Sequence, residues 1–542
     1  MVRKTLLSLA LLSLPYTGQG SDVSEFNISF NNKITSEELG QVNIDILNLN
    51  NREIKKSFYG ADTNGFSILP APSLVTPLQL GYVKLGGNLY SMFNWQLDAY
   101  YDRYEDQINY VYAPLENRIK LIQDGYNSTP MFQVNMLGWQ PNLAPDGNLV
   151  VKMTADAEHA ADAISYLNGV RKIGLKNILM GNEPFLSLEV HGKAIPSADE
   201  YIDKFIKYAI ALRSAQEKVS GNSNDIKLWG PEISTGWAGW QTTHPDDCLE
   251  DDNVPEKYKC SYGDGRFSEF MPYFLYRISK FEKDIVANPK KFKMLDYITL
   301  HYYPLFRKNF TNRYSTIVDE TGKQNIFGML DSVNVWDSES YINLYDYASP
   351  ENVQPKIISK FNKWKTEYYP NSKLALTEFG IDSVVDVDYH PIVRPMYLAD
   401  LIGRLGRAGV DTFINSFLQG GDKGNRWALI NGTSKTRLYN IYYLYSNYFL
   451  GNILNTDDNL GDKVNAYAVK KDKEINVFLV NKDTQKHTTN LSFKNGNILN
   501  NITQIDLPSW SLTMLRIPED HSQAIKVYQY GANEMKINNG PI

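Results

Sequence analysis

The chain has 542 residues, 43% of them hydrophobic and 21% charged, which is enough apolar material for a sizeable core and excludes a disordered chain. Its 55 basic and 61 acidic side chains leave a net charge of -6, so no general basic face is offered to nucleic acid or anionic lipid. The length suits two or more domains, or one large barrel with an appendage.

In chain order, the first feature is an export address. Arg3 and Lys4 precede an apolar run over 6–14, and Gly18-Gln19-Gly20 supplies small residues before a cleavage point. Residues 1–20 are therefore predicted to be a signal peptide cut near Gly20, and the mature protein to be secreted. The apolar run is too short to cross a bilayer, which takes about 20 residues, and no later stretch is long and apolar enough.

From 57 onward, short apolar runs recur with amphipathic segments between them. Strands are predicted over 57–63, 82–87, 130–135, 177–183, 227–232, 297–303, 374–380 and 412–418. Helices are predicted over 154–173, 198–219, 267–284, 352–368, 391–407 and 437–450. Near-continuous apolar strands separated by helices imply a parallel sheet covered by helices. Eight such units predict an α/β fold, a closed (β/α)8 TIM barrel over 51–450. A doubly wound open sheet is the alternative, but Gly86-Gly87 lacks the other glycines of a dinucleotide-binding loop.

The tail changes character. Short alternating strands over 466–469, 475–480, 488–493 and 511–516 are separated by Asn, Asp, Lys and Gly turns. Residues 451–518 are read as an additional all-β sandwich domain to which 21–50 adds strands, with 519–542 as a polar C-terminal tail.

Two cysteines occur, Cys248 and Cys260, close together in a loop rich in Asp, Pro and Lys. In an oxidising compartment they are expected to close one disulfide, worth about 3 kcal/mol in the chain-entropy model. The neighbouring acidic residues Asp246, Asp247, Glu250, Asp251 and Asp252 could hold a structural calcium. They lack the spacing of a calcium-binding hand, and a solvated loop is the preferred reading. No His/Cys cluster suggests catalytic zinc, and no cofactor is required.

In barrels of this kind, reactive side chains collect where strands end. Asn88 follows the second strand, Asn135 the third, Asn182 and Glu183 the fourth, Glu232 the fifth, His301 and Tyr303 the sixth, and Glu378 the seventh. Asn-Glu-Pro alone is commonly a turn, and Thr-Glu-Phe-Gly alone could end a strand with a solvated glutamate. Together, on strands four and seven, they make Glu183 and Glu378 the candidates for the two carboxyl groups that cleaving a glycosidic bond with retention needs.

Asn182 is placed on the sugar 2-hydroxyl, and Asn88 and Asn135 among the substrate contacts. Tyr303 is placed as a donor to Glu378, and His301 as a lining of the sugar subsite or a buried, backbone-satisfied histidine. Glu232 reads equally as a group behind the site or as a substrate contact. The chain carries 36 Tyr, 23 Phe and 9 Trp, and sugar rings stack on flat side chains. Trp95, Trp139, Trp237, Trp240 and Trp427 fall in or beside loops at the catalytic end, where two or three of them are expected to face a cleft.

At this point the chain resembles the retaining glycoside hydrolases built on eightfold barrels, and most closely glycoside hydrolase family 44. The resemblance is carried by LGGNLYSMFNW over 85–95, GNEP over 181–184, LWGPEISTGW over 228–237, LDYITLHYYP over 295–304 and LALTEFG over 374–380. It implies that Glu183 is the acid/base and Glu378 the nucleophile of an endo-acting enzyme on β-1,4-glucans and xyloglucan. Such an acid must keep its proton near neutral pH, which calls for low solvation or a neighbouring negative charge.

Three departures from the family pattern stand out. Lys84 occupies a position where arginine is expected before Gly-Gly-Asn, Ser91-Met92-Phe93 replaces a more polar stretch, and INSFLQGG on strand eight lacks a tryptophan. A lysine is a point donor that cannot reproduce a guanidinium fork. The expected substrate is a polysaccharide and the expected state a monomer. The rival readings are a related hydrolase acting on xylan, mannan or galactan, and a non-catalytic carbohydrate-binding barrel.

Overall fold

The computed structural model describes residues 24–27, 40–63, 65–103, 105–184, 196–234, 248–250, 258–303, 326–337, 356–380, 390–420, 427–494, 502–520 and 524–531. Eight parallel strands close into a barrel: β1 (Tyr59–Asp62), β2 (Tyr82–Leu85), β3 (Thr129–Val134), β4 (Asn177–Met180), β5 (Lys227–Ile233), β6 (Tyr297–Tyr302), β7 (Lys373–Phe379) and β8 (Thr412–Asn415). Each pairs with its neighbours in the chain, and β8 closes on β1. All eight strands expected from the apolar runs are present, and the barrel-plus-β-domain fold stands.

The strands are apolar on both sides because they face two cores. Ile178, Leu228, Ile298, Leu374 and Leu376 point outward into the large cluster shared with the helices. Met131, Leu179, Trp229, Tyr297, Ala375 and Ile414 form a separate plug inside the barrel. Within that plug Trp229 and Tyr297 stack at 3.5 Å and 3°.

Helix Ala198–Ser220 shows how the surrounding layer is set by sequence. Ser197 accepts from Glu200 N while the Glu200 side chain returns to Ser197 N, and Gly221 ends the helix in the left-handed conformation at φ 79°. Its apolar face, including Ile202, Phe205, Ala209 and Leu212, is fully buried.

Two antiparallel excursions were not anticipated. Phe93–Asn94, Ala99–Asp102 and Gln107–Tyr110 form a three-stranded sheet between β2 and β3, and Trp139–Leu143 pairs with Leu149–Met153 after β3. Beyond the barrel, nine strands form one continuous sheet that includes Ser24–Asn27, Gly40–Ile54 and the C-terminal strands. Alternation divides its faces. Ala466, Val477, Leu479, Leu515 and Val527 share a core with Val42, Ile44, Leu491 and Leu507 from the other end of the sheet. Tyr467, Phe478, Met514 and Tyr528 turn instead into the barrel's cluster.

The expectation of a polar tail from 519 needs correcting at one point. Lys526–Gly531 pairs along its length with Ser511–Pro518, its Val527, Tyr528 and Tyr530 being buried, so the sheet extends past 518. Cys248 lies opposite Cys260 in a short hairpin, and Cys260 is disulfide-bonded. Of the acidic loop, 246, 247, 251 and 252 lie outside the described residues, as do 1–20. No helix among the described residues is long and apolar enough to cross a membrane.

Candidate active site

Of the residues expected at strand ends, Glu183, Glu232, His301 and Glu378 meet Asp62 and Lys84 in a cluster of four carboxylates and two nitrogen bases at the mouth of the barrel. Two come from strict alternation. On β1 and β2, Tyr59, Ala61, Val83 and Leu85 face outward, which turns Asp62 and Lys84 inward. Gly86 makes room for that lysine, since a Cβ there would meet Lys84 Cε at 2.7 Å.

Two more depend on alternation failing. Leu374 and Leu376 face outward on β7, so a regular strand would send Glu378 outward too. The pairing with β6 slips between Leu300↔Leu376 and His301↔Glu378, inserting Thr377 and turning Glu378 toward His301. On β5 the slip between Gly230↔Ile298 and Ile233↔Leu300 does the same for Glu232. Such bulges re-aim side chains beside active sites. Glu183 and Glu232 both adopt left-handed backbone, at φ 37° and 55°, a conformation costing on the order of 1–3 kcal/mol for a non-glycine residue. Glu183 N donates to Glu232 O at 2.9 Å, tying the two together.

Lys84 is wholly buried, its Nζ 2.8 Å from Glu378 Oε1, 3.0 Å from Glu232 Oε2 and 3.6 Å from Asp62 Oδ2. Burial opposes its charge, but Glu232, Glu378 and Asp62 outweigh it and push the lysine above its usual range. His301 Nδ1 lies 3.1 Å from Glu183 Oε1 and 3.4 Å from Glu378 Oε2, while Nε2 lies 3.0 Å from Glu232 Oε2. Tyr303 donates its hydroxyl to Glu378 Oε2 at 3.1 Å. Burial, followed by the charges of Glu378 and Glu183, holds that phenol protonated.

Exposure separates the three glutamates. The Glu183 and Glu378 side chains are 11% and 12% exposed, whereas Glu232 is at 0%, its Oε1 receiving the Thr377 hydroxyl at 2.9 Å. Burial works against the Glu232 charge, yet Lys84 and His301 lower its pKa to about 2. Glu378 is likewise lowered, with burial opposed by His301 and Lys84. One oxygen of Glu183, one oxygen of Glu378 and a ring nitrogen of His301 all lie within 4.8 Å of one another. That spacing would suit a metal ion, and the imidazole hydrogen bonds already use the same atoms.

Glu232, read from sequence as a group behind the site or a substrate contact, and His301, read as a subsite lining or a backbone-satisfied histidine, are both sealed at 0%. Glu232 meets Lys84, His301 and Thr377, and His301 meets the carboxylates of Glu183, Glu232 and Glu378. Asn135 is spent on its own loop, accepting from Leu137 N and Gly138 N and donating to Trp139 O. Asn182 donates to the exposed Asn88 at 2.9 Å, and its Oδ1 has no hydrogen-bond partner among the described residues.

Trp95 donates to His159 O and packs beside Tyr166, bracing a hairpin against a helix. Trp139 begins the second excursion, partly exposed. Trp427 carries Arg394 over its ring at 4.8 Å and touches Phe379, the neighbour of Glu378. Trp237 and Trp240 lie outside the described residues. The sequence reading missed Asp62, Thr377 and the role of Lys84. An ionisable residue at an inward position of an apolar strand was the signal for Asp62 and Lys84.

Residues 123–305 match the model of glycoside hydrolase family 44. No curated protein matches the sequence. Among solved structures, a bifunctional glucanase-xylanase from a metagenome library superposes with a TM-score of 0.62 at 16% identity, covering 92% of this chain and 100% of that one. A Paenibacillus polymyxa xyloglucanase of family 44 gives 0.61 at 16% identity, with 92% and 100% covered. An α-L-arabinofuranosidase from Thermotoga maritima gives 0.55 at 12%, with 91% and 100% covered. At these identities the superpositions show the fold, the barrel and its β domain, while over residues 123–305 the chain is similar to glycoside hydrolase family 44, a match that supports a glycosidase.

Proposed function

We propose that the protein is a secreted, retaining, endo-acting hydrolase of β-1,4-linked glucan backbones, xyloglucan or cellulose-like chains. The observation that carries this reading is the pair Glu183 and Glu378, each with an exposed edge and with oxygens within 4.8 Å. Retaining enzymes hold their carboxyl groups about 5–5.5 Å apart, whereas inverting ones need about 6.5–9.5 Å to admit a water.

Glu378 is the nucleophile in this reading. Lys84 and Tyr303 hold its oxygens, keep it ionised and fix the one that attacks the anomeric carbon. Glu183 gives its proton to the leaving oxygen as the glycosyl ester forms on Glu378. It then takes a proton from the water that cleaves the ester. Asn182 Oδ1 would accept from the sugar 2-hydroxyl, a contact that strengthens in the transition state.

The backbone assignment draws on the family match together with the names of the neighbours, among them a family 44 xyloglucanase. Secretion draws on the sequence of residues 1–20. The test is a panel of xyloglucan, carboxymethylcellulose, xylan, mannan and galactan, read by released reducing ends and by proton NMR of the first product. Release from β-1,4-glucans with a β-anomer first supports the proposal. An α-anomer first, or binding without release, overturns it.

A further inference from the structure

We infer that Glu232 is a positioning residue that keeps His301 as an imidazolium, and that this buried cation follows the negative charge as it moves between Glu378 and Glu183 during the reaction. The inference rests on the retaining reading and adds to it the part that makes charge transfer inside a sealed site affordable.

Geometry favours the charged ring. Both ring nitrogens of the fully buried His301 face carboxylate oxygens, Nε2 toward Glu232 and Nδ1 toward Glu183 and Glu378. A neutral imidazole has one N–H and one lone pair. With the N–H at Nδ1 the lone pair would face Glu232, and with the N–H at Nε2 it could accept from a protonated Glu183 but would also face the Glu378 carboxylate at 3.4 Å. Only the doubly protonated ring donates at both ends. The charged groups around it are Asp62 and Lys84 from β1 and β2, Glu183 after β4, Glu232 from β5 and Glu378 from β7, with the Tyr303 hydroxyl beyond its own strand. Burial and Lys84 oppose the extra proton, and the carboxylates outweigh them, raising His301 to about 10.

Glu232 is suited to this and to little else. It is sealed from solvent, and one oxygen is shared by Lys84 and His301 at 3.0 Å each while the other takes the Thr377 hydroxyl. Its main chain accepts from Glu183 N at 2.9 Å and donates from Glu232 N to Thr299 Oγ1 at 2.7 Å.

The charge balance explains why such a cation belongs there. Before reaction Glu378 is the anion and Glu183 carries the acid proton. When the bond from Glu378 to the anomeric carbon forms, the glycosidic bond breaks toward the leaving oxygen, which takes the Glu183 proton. Glu378 is then a neutral ester and Glu183 the anion. One negative charge has moved across the cleft with none gained or lost. His301 Nδ1–H, between the two at 3.4 and 3.1 Å, turns its hydrogen bond from one to the other and keeps both its protons throughout. A preorganised charge that need not reorganise is what makes such stabilisation effective.

The test reads the ring directly. Nitrogen-15 NMR of the full chain, with the His301 signals assigned by their loss in His301→Asn, is expected to show both ring nitrogens protonated at pH 8. In Glu232→Gln the ring is expected to titrate about 1–3 pH units lower, the shift that one close counter-charge produces. The basic limb of kcat on an activated aryl glycoside is expected to fall with it, at little change in KM, and Thr377→Val to move both in the same direction by less. A neutral ring in the wild type at pH 8 overturns the inference, whether or not the variants fold. So does a Glu232→Gln enzyme whose ring titration drops while its pH–rate profile stays put. The ring measurement needs no turnover, so a chain that proves to cleave no glucan would count against the proposed function and leave the imidazolium to be judged on its own spectrum.

Discussion

Lys84 Nζ lies 2.8 Å from Glu378 Oε1 with no solvent access to the ammonium, so the group that would attack the sugar is held by a buried cation on a different strand. The lysine is one of the departures from the family pattern in sequence, and its contacts give it a task that a point charge can perform. Three carboxylates lie within 3.6 Å of its Nζ, and a compact ammonium gathers three donors on one atom where a guanidinium spreads five over a rigid plane. Lys84→Met should therefore leave three buried carboxylates short of a counter-charge. Losing one partner of a buried pair typically costs about 3–5 kcal/mol, so the variant should melt well below the wild type. Its acid limb of kcat/KM should also move to higher pH, because Glu378 loses part of what depresses it. An unchanged acid limb in a folded Lys84→Met would rule out this role.

Glu378→Ala should lose hydrolysis by about 10^4–10^6-fold, the scale on which removing a nucleophile acts, while still binding oligosaccharide. Azide can occupy the vacated space, and partial recovery of turnover with azide, read by product NMR, is expected. Wild-type activity in Glu378→Ala would remove the nucleophile assignment outright.

Glu183→Ala should separate substrates by leaving group. General acid catalysis contributes about 10^2–10^4-fold, and it matters most when the departing oxygen is a poor leaving group. Losses on xyloglucan should accordingly far exceed those on a dinitrophenyl glycoside. Equal losses on both would show that Glu183 does something other than donate a proton.

The fold was legible because the barrel strands face two apolar cores, so that Ile178, Leu179 and Met180 read as an unbroken apolar run. The carboxylate pair was legible because each ends such a run. Asp62 and Lys84 escaped although they follow the alternation, and the inward aim of two glutamates escaped because periodicity breaks there. Glu232 and Glu378 point inward only because β5 and β7 each slip register, and nothing in a single strand's sequence announces a slip defined by its partner. Asn135 looked like a sugar ligand and is consumed by its own loop, a matter of backbone geometry. The strand Lys526–Gly531 escaped because its polar surroundings hid alternating Val527 and Gln529, whose partners lie on Ser511–Pro518.

Gly403 marks where the barrel meets the β sheet. It lies within helix Val393–Ala408, where alanine would normally be the better helix former, but a Cβ at this position would lie 2.3–2.5 Å from the Tyr467 ring. Gly403→Val should thus destabilise through overpacking by about 1–3 kcal/mol or more, measured by denaturant midpoint. A neutral or stabilising result would mean that the sheet and helix can separate freely.

The same junction contains a buried ionic knot that sets a pH dependence. Asp400, on that helix, is fully buried and meets Lys482 Nζ at 3.0 Å, Arg404 Nε at 3.4 Å, Asn465 Nδ2 at 2.9 Å and the Tyr467 hydroxyl. Burial opposes its charge, but Arg404 and Lys482 prevail and lower its pKa to about 2. An unfolded aspartate titrates near ~3.9, so the folded form binds its proton less readily. The resulting stabilisation is fully present above about pH 4 and is lost as pH falls toward about 2. Asp400→Asn removes the charge and leaves Lys482 buried without it, which should lower the melting temperature at pH 7 by several degrees. Because the wild type loses its advantage in acid, the gap between the two should shrink between about pH 4 and pH 2. A gap that stays constant across that window would mean the knot contributes through packing and hydrogen bonds rather than through charge.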